Sequence, residues 1–133
     1  NLAENFSVSE LVESSLVRNK KKTLNILNEK NFDPDECILI LRVYLSKLKR
    51  LLKIQEQIKS TNNIDNIISS YRPPIFWKEK EIVKQQIKTL NCEDIKKLII
   101  KTNEIELQIK RRPLISLNIL TNFILELTIT TNN

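Results

Sequence analysis

Three carboxylates crowd one short stretch, Asp33, Asp35 and Glu36, with Cys37 next to them. Oxygens of that kind hold a divalent cation when they converge. The same residues also spell a helix start. Asp33 precedes Pro34, Glu36 follows three positions after Asp33, and an apolar run begins beyond, which is the pattern of an N-cap with a capping box and Pro at the first helical position. Acidic residues in a first turn also suit the helix dipole. Capping accounts for all three carboxylates, so neither a metal nor any other cofactor is expected. Cys92 lies at another helix start, where a thiol pKa is lowered, but no histidine or resolving cysteine accompanies it. Both cysteines read as small apolar residues near helix starts, in a reduced compartment.

Composition narrows the chemistry further. The 133 residues include no Gly, no His, no Met and a single Ala, Ala3. Phosphate loops, dinucleotide fingerprints and nucleophile elbows need Gly where backbone meets ligand or turns sharply. Without His, the commonest general base and the commonest zinc ligand are missing. Ser and Thr then have no base to activate them. The expectation is a non-enzyme. From the missing Met and the want of a signal-like apolar stretch, the expectation is that Asn1 is a cut inside a longer protein rather than a mature secreted terminus.

The net charge of +6 permits contact with nucleic acid or acidic protein. Two basic features stand out: Arg18 with Lys20, Lys21 and Lys22, and a face of Arg42, Lys49, Arg50 and Lys53 spread over three turns. Each is a solvated face or a track for phosphates, and the solvated face is the expectation. Phe76 and Trp77 follow a double proline; they either stack on bases or anchor a loop into the core, and anchoring is expected.

The elements that must position these side chains are helices throughout. Phe6-Ser7-Val8-Ser9-Glu10-Leu11, Phe32-Asp33-Pro34-Asp35-Glu36-Cys37 and Leu90-Asn91-Cys92-Glu93-Asp94-Ile95 each combine a cap with a hydrophobic staple. Residues 19–30 form one helix, with Asn31 as a left-handed cap at positive φ. Pro34 to about Lys59 forms a long helix with a seam of Ile38, Leu41, Leu45, Leu48 and Leu52. Ile40, Tyr44, Leu51 and Ile58 lie beside that seam, making the apolar surface too wide for one stripe, so the helix is central in a bundle. Pro73 and Pro74 end a short helix over Ile64–Tyr71. The last helix, near 113–128, is apolar nearly all round but short of the about 20 apolar residues a bilayer requires. Only Thr128–Thr131 leans towards β. The chain therefore reads as a single all-α bundle of five to seven helices, with residues 1–9 ending a linker and 10–133 forming the domain. The apolar surplus nominates Tyr44, Leu51, Ile54 and Ile58, with Ile119, Phe123 and Leu127, as an interface with a partner.

The order of these features resembles a known family. A capped helix ending before Asp-Pro, a long Leu-rich basic helix, and a loop into Tyr71-Arg72-Pro73-Pro74-Ile75-Phe76-Trp77-Lys78 recur together, followed by Lys84-Gln85-Gln86, a boxed helix start and a final Leu-rich helix. This is similar to the C-terminal collar domain of the delta subunit of the bacterial DNA polymerase III clamp loader. Pro73, Pro74, Phe76 and Lys78 are the family-like positions. The resemblance implies a cytoplasmic, non-catalytic domain that packs against the delta-prime and gamma/tau subunits, so that the complex can load the sliding clamp on primed DNA. It implies no small-molecule substrate, no membrane, and at most weak or indirect DNA contact. The alternative is a helical nucleic-acid-binding module that uses the basic helix face.

Overall fold

The computed structural model describes the backbone of residues 2–129, and the side chains of 8–128. Seven α-helices follow in order: α1 Leu2–Leu16, α2 Lys20–Glu29, α3 Pro34–Thr61, α4 Ile64–Ser70, α5 Lys80–Thr89, α6 Cys92–Arg111 and α7 Ser116–Ile129. Short 3-10 turns at Trp77–Glu79 and Pro113–Ile115 lead into α5 and α7. Among the described residues there is no strand, and no helix is long and apolar enough to cross a membrane.

Most of the helix punctuation is local chemistry. At the start of α3, the Glu36 N–H donates to Asp33 Oδ1 at 2.8 Å and the Asp33 N–H donates to Glu36 Oε1 at 3.1 Å, closing the capping box. Asn91 caps α6 by accepting from the Asp94 N–H at 2.8 Å. Phe32, Cys37, Leu90 and Ile95, the two expected staple pairs, are all buried. Asp33→Ala leaves the first-turn N–H groups of α3 to water and should cost about 1 kcal/mol, read as a lowered thermal midpoint.

Three local expectations are corrected. The backbone of α1 is already helical at Leu2, so Ser7 is inside a helix rather than at its cap, and residues 2–9 belong to α1. The side chains of Phe6 and Ser7 lie outside the described residues, as do Thr130 and Thr131 of the β-leaning end, while Thr128 is helical. Asn31 does not take positive φ. Helix α2 ends instead through Lys30 at φ −110°, ψ 132°, an extended exit that carries Phe32 into the core. The left-handed positions are Arg18 (φ 66°) and Asn62 (φ 58°). At Arg18 the bonds Asn19 N–H to Ser14 O (2.8 Å) and Arg18 N–H to Ser15 O (3.1 Å) form a Schellman motif without glycine.

Helix α3 is the hub, packed by α1, α4, α5, α6 and α7. It runs antiparallel to α6: Arg42 near its start meets Glu106 near the end of α6, and Gln55 donates to the Ile87 and Leu90 carbonyls just before α6 begins. With so many neighbours, the phase of burial differs from the expected seam. Cys37, Ile40, Leu41, Tyr44, Leu48, Leu51 and Ile54 are fully enclosed, whereas Ile38, Leu45 and Leu52 are half-buried. The Tyr44 hydroxyl sits 2.6 Å from Ser15 Oγ on α1 and its ring packs on Phe123 of α7, tying three helices together.

Burial makes two of these groups reluctant to ionise. The Cys37 thiol is pushed up to about 11, first by desolvation and then by the Asp33 and Glu36 carboxylates. The Tyr44 phenol is also raised by burial, against a smaller opposing effect of its Ser15 hydrogen bond. Both stay protonated in the folded chain at pH values where the unfolded chain has ionised. The stability they confer is complete below their ordinary pKa values and is lost as pH rises. Between pH 9 and 11 the free energy of unfolding should fall with a limiting slope of about 1.4 kcal/mol per unit for each group titrating. Urea midpoints across that range check this, and Cys37→Ala should flatten the lower part.

Candidate functional site

Residues that end α4 and open α5 build an exposed aromatic feature of the surface. The chain leaves α4 at Ser70 and passes through the cis Arg72–Pro73 bond; only Ile75 of the next segment turns inward and is buried. Its neighbours point out. Phe76 is 56% exposed and Trp77 68% exposed, their ring centroids 5.9 Å apart and the planes tilted by 53°. Lys78 Nζ lies 5.4 Å from the Trp77 ring centroid, within cation–π range. The expectation that this aromatic pair anchors the loop is therefore corrected: the buried Ile75, with the half-buried Tyr71 before it, supplies the anchor, and both rings stay at the surface. Pro73, Pro74 and Lys78 are exposed with them.

The turn is held by charge as well as by Ile75. Glu79 closes it, its N–H donating to the Phe76 carbonyl at 2.8 Å. The Glu79 carboxylate takes Arg50 at 3.1 Å and Lys47 at 3.6 Å, and Lys47 reaches Glu13 of α1 at 3.1 Å. Lys47 is almost wholly buried. These four residues link α1, α3 and the 3-10 turn in one largely enclosed ionic network. Lys47, Glu13 and Glu79 escaped the sequence reading. The available signal was a lysine set between Tyr44, Leu48 and Leu51 on an apolar helix face, where a cation needs a partner.

No family model, curated protein or solved structure matches this chain.

The structure separates the expected basic face. Arg50 turns inward to Glu79, and Arg42 pairs with Glu106 at 3.3 Å, which also takes Lys110. Lys49 and Lys53 remain exposed and make no ion pair among the described residues. In the second basic run, Lys22 pairs with Glu10 and Arg18 donates to the Thr89 carbonyl.

The nominated interface is largely interior. Tyr44, Leu51, Ile54, Phe123 and Leu127 are buried within this domain, so their apolar surface is already used by α1, α3, α6 and α7 packing together. Ile58 and Ile119 are half-buried at its edge. A shallow cleft of about 180 Å³ between α6 and α7, lined in part by Lys101, Gln108, Ile119 and Glu126, is too small and open to enclose a ligand. Among the described residues no group of His, Cys, Asp or Glu is arranged to hold a metal ion.

Proposed function

We propose that this chain is a non-catalytic assembly module of the clamp-loader collar type, the C-terminal domain of a delta-like subunit of a bacterial DNA polymerase III loader acting in the cytoplasm. Its work is to bury surface against the delta-prime and gamma/tau subunits and so hold the complex that loads the sliding clamp. The observation that carries this reading is the presentation of the most family-like segment. Pro73, Pro74, Phe76 and Lys78 all face solvent on a turn pinned by Ile75 and Glu79. Large aromatics held rigidly outside a closed core supply contact area at low entropic cost, which is why Trp and Tyr dominate the energetics of interfaces.

Sedimentation velocity of the chain, alone and mixed with the C-terminal domains of delta-prime and gamma/tau subunits, tests the reading. A mixed complex that survives high salt is expected, because apolar burial is little affected by ionic screening. Absence of a complex with either partner would exclude it.

The exposed Phe76–Trp77 pair also favours a second reading, a nucleic-acid-binding module. Two tilted rings beside Lys78 and the exposed Arg72 form a platform on which unpaired bases can stack. On that reading Trp77→Ala weakens single-strand binding by about 1–3 kcal/mol and leaves the unfolding midpoint unchanged. Affinity would fall with log salt at a slope near 0.7 per phosphate contact. Filter binding of an oligonucleotide at several salt concentrations separates the two readings.

A further inference from the structure

Helix α6 carries apolar side chains on the wrong side for its own fold. Its inner face supplies Ile95, Thr102, Ile105 and Ile109 to the core. Ile100 and Leu107, seven residues apart and so on one line of the helix, stand on the opposite side, 61% and 48% exposed. Leu114, seven residues further on and beyond the helix end, is 100% exposed. The two helical positions are about 10 Å apart along the axis. A seven-residue interval is the spacing at which one helix offers a seam to another.

Charge identifies what fits that seam. Between residues 96 and 114 there are six cations and two carboxylates, so this one segment holds +4 of the chain's net +6. Of the two carboxylates, Glu106 is already engaged by Arg42 and Lys110. Lys96 and Lys97 at one end of the seam, and Arg111 and Arg112 at the other, are exposed. We infer that the outer face of α6 docks an amphipathic helix of a partner protein whose apolar stripe is rimmed by Asp and Glu.

A second copy of this chain does not suit the site, because it would bring the same cationic rim against itself. Duplex DNA would satisfy the cations and leave Ile100 and Leu107 against water and phosphate. A lipid surface calls for a broad apolar face, whereas here the polar Asn103 and Glu104 lie between Ile100 and Leu107 on the same side of the helix, and the remaining apolar residues of α6 are spent on the core. The inference rests on the assembly reading above and adds a second contact face to the 71–78 turn. Rim charges set the encounter rate and the choice of partner, and the apolar seam supplies the affinity that persists in salt.

The test compares the wild type with Ile100→Ser/Leu107→Ser and with Lys96→Glu/Lys97→Glu in the same sedimentation mixtures with delta-prime and gamma/tau domains. All four side chains are on the solvent side, so both variants should unfold cooperatively at the wild-type midpoint. Each should assemble at least about tenfold more weakly. Wild-type assembly matched by both variants would overturn the docking face while leaving the assembly reading in place. A wild type that binds neither partner would overturn both. Loss of binding to phosphatidylserine vesicles or duplex DNA in these variants, with subunit assembly intact, would replace the protein occupant with those surfaces.

Discussion

Phe123→Asp should unfold the domain rather than release a partner. The Phe123 ring is 3% exposed and lies 5.8 Å from the Tyr44 ring, at the point where α7 meets α3. Truncating such a ring costs about 3–5 kcal/mol through lost transfer energy and the cavity left behind. Placing a carboxylate there adds the desolvation of a charge with no partner. A domain of this size has about 5–15 kcal/mol of stability in total. The expected result is collapse of the helical circular dichroism signal and loss of a cooperative thermal transition. Ile119→Asp, on the same helix but half-buried, should keep both. Retained helicity in Phe123→Asp, with weakened assembly, would return this residue to the interface and contradict its burial.

Lys47→Met carries the second large effect. The lysine is the shared cation between Glu13 and Glu79, with only 10% of its side chain exposed. Among the described residues, removing it leaves Glu13 without an ion-pair partner and Glu79 with Arg50 alone. Breaking one partner of a buried pair typically costs about 3–5 kcal/mol. Because Glu13 and Glu79 keep 17% and 22% of their side-chain exposure, some screening survives and about 2–3 kcal/mol is expected. Urea denaturation would report it as a lower midpoint with an unchanged slope. Lys47→Met/Glu13→Leu should recover most of the loss, since an apolar pair of similar volume replaces a broken ionic one. A single variant as stable as the wild type would show that Lys47 adds nothing to stability, and the turn would then depend on Ile75 and the Arg50–Glu79 pair.

The two variants probe different kinds of information. Phe123 was legible as apolar but its side was not: the last helix is apolar nearly all round, so no stripe in it marks the core-facing residues. Tyr44 and Leu51 were set apart as surplus because they lie beside the seam of Ile38, Leu41, Leu45, Leu48 and Leu52, of which only Leu41 and Leu48 are fully buried. In the folded chain that phase is rotated, since five helices converge on α3 and enclose the side the seam had left over. Lys47 was invisible as a network member because its partner Glu13 is 34 positions away. Segment 71–78 was legible as a distinctive group, while its exposure was not. Whether Ile75 or Trp77 turns inward depends on the space left between α4, α5 and α3, and no neighbour in sequence sets that space.

The amino-acid sequence by itself determined the helical class, most of the breaks between helices, the capping box of α3, the Asn91 cap of α6 and the apolar pairs that flank both starts. Those features arise between residues at most five positions apart, so they can be read without knowing the fold. Tertiary structure alone decided which face of α3 is sealed, which left-handed cap is used, and that Arg42 and Arg50 spend charge on Glu106 and Glu79. It also decided that two aromatics and the Ile100–Leu107 seam stay outside. Burial is a sum over all the elements that reach a residue, and one helix's pattern does not contain its neighbours.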